Sequence, residues 1–576
     1  MPVSLFSLPG WGRSLALAAS LPLSACVVSG QVTVVPSTPQ VGSSNPATAA
    51  PNVSRPHTKP CMVSLFQNLP FDNFTPATFD YTPPAACPGP WAKVVFTADF
   101  TVTEGRQFDR TAAFYLGRAN IYYGTTAEPR AALSPSWHVE RDVTDLSAIF
   151  RSAETGEANI GNFVGVSGGV TYNGIIYVNA ALEFYPADFR DRAPRTPDIV
   201  VPVNGTGGDA GTLNTTTDQI TQTLNLPKNV ESAYLDVIAQ NQSNDEFWYF
   251  CVPNDQTANL ESCGGTAFRE TEIWLDGKPA GVAPAYPWIF TGGIDPYLWE
   301  PVTGAQTLDF VPYRVDLTPF AGVLADGATH TVAVSVFNAD SYFLATANLL
   351  VFTDHGGGTV TGGLISNTLT DAPTPVVTEH ITTGTGPTYT GTIDTSSSRE
   401  FTIRGWVKTS HGRVETTVTE QVGFTNDQQF DVSATTDVQN VAQLTTVDST
   451  SATKQGWLET KTEQHFRYPL TIDYSYVVNS DNTADQVTTV TQGFDTHETT
   501  SLNGWPAYEN KVHEEVKAMD TLPFDASGNF LGPMGSKTSQ TYTWKNSLGA
   551  CYSRTIKAAA QVLTSVDDDG DCHDRH

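Results

Sequence analysis

The sequence predicts an all-β chain, two adjacent antiparallel sandwiches followed by a β-rich C-terminal region, and three observations carry that prediction. Short runs of β-branched and aromatic residues recur from about Trp91 onward, as in Lys93-Val94-Val95-Phe96, Thr111 to Leu116, Ile175 to Val178 and Thr331 to Phe337. Turn-forming clusters such as Gly205 to Gly211 and Gly356 to Gly363 separate them, and long helical periodicity is scarce, which favours antiparallel sandwiches over alternating β and α units. The pattern also repeats. A first copy runs from Val94 through Asp109-Arg110, a strand Ala112 to Ile121, Asp142-Val143-Thr144-Asp145-Leu146 and a closing strand within Ile175 to Phe184. A second runs from Ala233 through Asp245-Glu246, a strand Arg269 to Leu275, Asp316-Leu317-Thr318-Pro319-Phe320 and a closing strand Ala347 to Thr353. Each copy places an acid between its opening strand and the next. Two such sandwiches side by side bring one carboxylate from each toward a shared cleft. Taken singly, each acid also reads as an ordinary turn residue.

Taken in chain order, Arg13, the apolar run Ser14 to Leu23 and Leu23-Ser24-Ala25-Cys26 have the form of an export signal over residues 1–26, ending in a small-residue cleavage site. Leu-Ser-Ala-Cys also has the form of a bacterial lipobox, in which Cys26 carries a lipid; a lipidated and an ordinary signal both stay open. Residues 27–60, rich in Ser, Thr, Pro and Val, read as a flexible tether. The first sandwich then takes residues 61–200, the second 201–363. Beyond Gly363 Thr and Ser rise and polar alternating segments such as Arg404 to Val407 and Leu470 to Val478 continue, a third β-rich region over 364–576 whose role is structural or substrate-positioning. The tail Asp567-Asp568-Asp569-Gly570-Asp571 has part of a calcium-loop pattern without its distal Glu and reads as a solvated acidic end. No later stretch has eighteen successive apolar residues, so no spanning helix is expected and a membrane enters only through an N-terminal lipid.

Seven cysteines become six once Cys26 is set aside. Neighbours suggest Cys61 with Cys87, Cys251 with Cys263 and Cys551 with Cys572, although six cysteines allow fifteen connectivities. Disulfides imply an oxidising compartment, a cell envelope or the outside. Zinc sites need clustered Cys or His, and none is present; the eleven histidines are scattered, so no metal is expected. Sixty acidic residues against thirty-one Lys plus Arg give a formal charge of -29, which argues against nucleic acid as a partner. Carboxylates titrate near pH ~4, so their mutual repulsion fades in acid, and tolerance of an acidic medium is expected.

Gly105-Arg106-Gln107-Phe108-Asp109-Arg110-Thr111-Ala112, Thr125-Thr126-Ala127-Glu128-Pro129 and Asn244-Asp245-Glu246-Phe247-Trp248-Tyr249 together resemble the plant-type peptide:N-glycosidase A family. Phe268-Arg269-Glu270, Leu275-Asp276-Gly277, Phe290-Thr291-Gly292-Gly293-Ile294, Leu298-Trp299 and Leu317-Thr318-Pro319-Phe320 follow in the family's order, so the resemblance covers about Trp91 to Asp354; Arg467-Tyr468-Pro469-Leu470 carries a fainter continuation. A more distant likeness is to the flavobacterial peptide:N-glycosidase, which implies two jelly-roll domains with the active site in the groove between them. That likeness implies an essential acid at Asp109, in Asp109-Arg110-Thr111-Ala112, a second at Glu246, and an arginine at Arg314 within Pro312-Tyr313-Arg314-Val315-Asp316. For the third acid of the flavobacterial site it offers no clear counterpart, because the region Val164 to Gly168 is apolar and glycine-rich.

The resemblance implies an amidase that hydrolyses the bond between asparagine and the innermost N-acetylglucosamine of N-glycoproteins and N-glycopeptides, with no cofactor. Amide hydrolysis needs an activated water and a protonated leaving nitrogen, tasks that two carboxyl groups can divide. Asp109 is the expected acid/base, with Glu246 positioning or polarising water or the amide. Arg110 and Arg314 are expected to steady an oxyanion. Asp245 and Arg269 flank the matched acids as supporting candidates. Trp248 suits stacking on the chitobiose core, and Trp299 reads equally as core. Two rival classes fit parts of the pattern: a glycoside hydrolase, which also uses paired carboxylates, and a surface lipoprotein that binds glycans without turning them over.

Overall fold

A computed structural model describes residues 36–128, 130–568 and 572. The export signal, Cys26 and residues 569–571 of the acidic tail lie outside the described residues. Strands dominate, as the recurrent strand pattern predicts, and apart from short 3-10 turns the described helix is the single turn Ala321–Leu324.

The first sandwich faces a sheet of Cys61–Phe71, Ile176–Pro186, Trp91–Val102 and Ser136–Asp142 with one of Ala77–Tyr81, Glu154–Ile160, Thr111–Leu116 and Ala119–Thr125, in those lateral orders. The second repeats the plan. Ile199–Val203, Asp340–Thr353, Val230–Asn241 and Tyr313–Asp316 face Ile220–Leu224, His330–Phe337, Glu270–Leu275 and Lys278–Pro284, with Gly211–Thr215 added against Asp340–Thr353. Corresponding segments of the two sequence copies thus hold corresponding places in the two sandwiches. One segment differs from expectation. Ala112 to Ile121 is not one strand but a hairpin, Thr111–Leu116 and Ala119–Thr125, because Gly117 and Arg118 take φ of 52° and 69° and reverse the chain.

Alternation drives each face inward. Phe96, Phe100, Phe114, Tyr122, Trp137 and Phe184 fill the first sandwich. The second is continuous with a much larger core, because the C-terminal region is one eleven-stranded antiparallel sheet laid across it. Its strands reach 21 residues, and their inner faces place Phe401, Val422, Phe424, Tyr468, Leu470 and Val516 against the second sandwich. Contact is close enough that a Cβ on Gly405 would collide with the Pro319 carbonyl, so only glycine fits there.

The sandwiches meet along a seam of polar pairs as well as apolar surface. Asn348 Nδ2 donates to the Asn120 carbonyl at 2.9 Å, and Tyr123 donates its hydroxyl to Gln240 at 3.1 Å. Residues 36–60, expected as part of a tether, are packed instead. Ala49 is fully buried, the Ala49 N–H donates to Gln540 Oε1 at 2.6 Å, and Arg55 pairs with Glu140 and Glu183 at 2.7 and 2.9 Å. Small residues let this segment lie flat against Val302, Ile556 and Leu563, a fit that composition alone does not reveal. The three disulfides join the neighbours expected, Cys61 to Cys87, Cys251 to Cys263 and Cys551 to Cys572.

Candidate active site

In each sandwich a long central strand, Trp91–Val102 or Val230–Asn241, leads through a loop to Thr111–Leu116 or Glu270–Leu275. Asp109 and Glu246 lie in these two equivalent loops. The structure brings them together: the charge on Asp109 acts on Glu246, whose carboxyl is pushed up to about 8 first by burial and then by that neighbour. Both residues keep part of their surface open to solvent.

A network spanning both sandwiches fixes Asp109. Its Oδ2 accepts the Gly292 N–H at 2.8 Å. Arg110 donates its backbone N–H to Thr126 Oγ1 at 2.9 Å and its Nη1 to the Asp109 carbonyl at 2.8 Å, and the Thr126 carbonyl accepts the Thr291 hydroxyl at 2.7 Å. The loop bearing Gly292 is held from the far side by Trp299, which donates Nε1 to the Gly293 carbonyl at 2.8 Å. The C-terminal sheet braces the same loop, with Gln492 donating to the Pro287 carbonyl at 2.7 Å and Thr538 to the Leu298 carbonyl at 2.7 Å. Burial raises the Asp109 carboxyl, while the Gly292 N–H and the Arg110 guanidinium oppose that rise by favouring its ionised form.

A third acid completes the group. Glu128 lies against Asp109, its carboxyl receives the Asp109 backbone N–H, and burial followed by the Asp109 charge pushes it up to about 8. A Cβ on Gly292 would collide with the Glu128 carboxylate and crowd that of Asp109, so the bare backbone is what admits both acids. Glu128 and Gly292 fall within the matched motifs but were not expected as site residues. The signal was present: pairing Thr111 with Thr125 sets Arg110 beside Thr126 and carries Glu128 to Asp109.

Other expected residues lie elsewhere or act indirectly. Arg314 is occupied by Asp236, at 2.7 Å through both Nε and Nη2, and by Asp145 at 2.8 Å. It lines a separate cavity of about 400 Å³ along the seam with Lys93, Asn120, Arg141 and Asn348. Asp236 precedes Asn241, the strand end nearest Glu246, by five residues, roughly 17 Å along the strand. An oxyanion role for Arg314 beside Asp109 does not fit this placement. Trp248 is fully buried, 6.1 Å from Phe424 of the C-terminal sheet, so it packs a core rather than a sugar. Trp299 is likewise buried and positions the Gly292 loop. Asp245 and Arg269 form a wholly buried ion pair at 2.8 Å, and Asp245 also takes the Asp340 N–H at 2.7 Å, tying adjacent loops beneath Glu246. Tyr249 and Tyr342 are the aromatic neighbours on which the Glu246 charge acts. Among the described residues no group of three His, Cys, Asp or Glu is placed to hold a metal ion.

Three partly buried carboxyl groups, a guanidinium and the Gly292 N–H, drawn from loops of two sandwiches, have the make-up of a hydrolase that works by proton transfer. The comparisons agree with that class. This chain belongs to the peptide N-acetyl-beta-D-glucosaminyl asparaginase amidase A family, whose model matches residues 51–370, and the model of that family's C-terminal domain matches residues 392–470. It is 31% identical over 392 residues to the peptide-N4-(N-acetyl-beta-glucosaminyl)asparagine amidase A of Prunus dulcis, covering 64% of this chain and 67% of that protein. Solved structures of PNGF-II match at 14% identity and a TM-score of 0.36, over 52% of this chain and 66% of theirs. PNGase F, a glycosylasparaginase from Flavobacterium meningosepticum, matches at 15% identity and a TM-score of 0.34, over 51% of this chain and 96% of its own. Likenesses that slight bear no weight for the chemistry.

Proposed function

We propose that this chain hydrolyses the amide bond between asparagine and the innermost N-acetylglucosamine of N-linked glycans, leaving aspartate in the peptide and releasing a glycosylamine that loses ammonia. The convergence of Asp109 and Glu246, one from each sandwich, carries this reading in a chain of the amidase A family. Asp109 has the Gly292 N–H and Arg110 beside its carboxylate, so of the three acids it is the one best supported as an anion. It takes a proton from water as that water attacks the amide carbon. Glu246, still protonated over most of the range below about pH 8, donates to the departing nitrogen. Glu128 is likewise a neutral neighbour, keeping the Asp109 charge from meeting a second anion. Arg110 stands beside the nascent negative charge.

Export through the segment ending at Cys26, with or without a lipid there, fits the three disulfides, which persist in oxidising compartments. Work in an acidic medium fits the raised carboxyl groups of the groove. The deciding experiment incubates one N-glycopeptide with the protein and reads product masses across a pH range. Aspartate at the former glycosylation site supports the amidase; asparagine still carrying one N-acetylglucosamine would instead mean a glycoside hydrolase cutting within chitobiose, and the proposal would fall.

A further inference from the structure

The outer face of the C-terminal sheet, opposite the one that covers the second sandwich, carries a broad cavity of about 890 Å³ across six neighbouring strands, Thr436–Gln455 to Cys551–Ala559. Register builds it from two cross-strand rows. One aligns Asp448, His465, His497, Lys511, Lys545 and Cys551; the next aligns Thr446, Arg467, Asp495, His513, Thr543 and Ser553. Five strand spacings make the trough roughly 24 Å long.

Its charge balance differs from the chain's. The whole sequence has sixty acids to thirty-one Lys plus Arg, yet here Arg467, Lys511, Lys545 and three histidines stand with Asp448 and Asp495, and Glu509 takes up Lys511 at 2.6 Å. Each imidazole is fixed through one nitrogen: His465 to Asp448 at 2.5 Å, His513 to Asp495 at 2.5 Å and His497 to Glu509 at 2.9 Å. Their second nitrogens make no hydrogen bond among the described residues and face the trough as donors or acceptors. Arg467 and Lys545 have no ion-pair partner among the described residues. Cations spaced along a row select an anion, while interleaved imidazoles and carboxylates suit hydroxyl groups. A polyanion without hydroxyl groups would leave Asp448, Asp495 and the imidazoles unmatched, in the field of a strongly acidic protein. The ligand chemistry that satisfies both features is an extended sugar bearing carboxylates.

We infer that this trough is a second carbohydrate-binding site, remote from Asp109, for carboxylate-bearing saccharides. Two sources offer that chemistry, the sialylated ends of glycoprotein glycans and an acidic polysaccharide of uronates. Calorimetric titration of the full chain at about pH 5.5 compares sialyllactose, trigalacturonate and neutral lactose. At least one acidic probe is expected to saturate, with lactose about tenfold weaker or worse, and the double variant Arg467→Ala/Lys545→Ala is expected to lose about tenfold or more. Sialyllactose binding alone points to glycan ends, trigalacturonate alone to the polysaccharide, and either supports the site. No saturable acidic probe, lactose binding equally well, or unchanged binding in the double variant overturns it. The pair Arg467→Gln/Lys545→Gln repeats the test with the side-chain stems kept, should the alanines unfold. Neither probe has an asparagine linkage and neither variant touches the Asp109 groove, so turnover of a neutral N-glycopeptide stays unchanged and the amidase reading is tested separately.

Discussion

Replacing Glu420 by Gln is expected to stabilise the protein at high pH and to do nothing at low pH. Glu420 lies on Gly412–Val432, buried where the C-terminal sheet meets the second sandwich, and its Oε1 has no hydrogen-bond partner. Burial, then the nearby Glu270 carboxyl, pushes it from 4.5 up to about 8, against the partial relief of a Tyr313 hydrogen bond and then of Arg399. Folded protein therefore holds a proton that the unfolded chain releases between those two values, and stability falls as pH rises through that window. At about 1.36 kcal/mol per pH unit the cost is nil below pH 4.5, about 2 kcal/mol at pH 6 and up to about 5 kcal/mol at pH 8. A neutral amide escapes it. Urea unfolding followed by tryptophan fluorescence, with the transition that separates sheet from sandwich compared at about pH 4.5, 6 and 8, measures the difference. A variant whose midpoint shift is the same at all three values, or which loses more at pH 8 than at pH 4.5, refutes the reasoning.

Glu272, Glu514 and Asp520 at the same interface are each pushed to about 7 by burial, so the wild-type melting temperature is expected to drop from pH 5 to pH 8 in a thermal scan. Asp109→Asn should cut glycopeptide turnover by about 10²–10⁴-fold while circular dichroism stays unchanged, as loss of proton transfer requires. The alkaline limb of the kcat/KM profile should turn near pH 8, where Glu246 gives up its proton, and Glu246→Gln should remove that limb along with most of the rate. Gly292→Ala, whose new Cβ meets Glu128, should lower kcat with little change in melting temperature; wild-type kinetics would show that the acids do not depend on this backbone. Trp248→Ala should cost about 3–5 kcal/mol of stability, read by denaturation, and the milder Trp248→Phe should leave KM for the glycopeptide unchanged.

Features with a local or periodic signature were legible before folding. Alternation marked the strands, and the repeated placement of an acid after the opening strand of each copy singled out Asp109 and Glu246, because one loop of a duplicated fold recurs in both halves. What depended on distant parts of the chain was not. Trp248 has the chemistry of a sugar platform beside Glu246, but Phe424, 176 positions later, covers it. Arg314 has the right chemistry but is captured by Asp236 and Asp145, partners from different sandwiches. Glu128 reaches Asp109 only through the pairing of Thr111 with Thr125, and the turn at Gly117-Arg118 that makes this pairing has no signature in strand periodicity. The packed segment around Ala49 escaped because smallness looks the same in a linker and in a tight contact.

Because Phe424, Tyr468 and Val516 share one interior with Trp248, Tyr286 and Phe320, the long sheet is no detachable appendage. A gene product ending near residue 370 would bare that oily flank of the second sandwich and lose the Gln492 and Thr538 props of the Gly292 loop. Such a fragment should aggregate rather than act as a minimal enzyme.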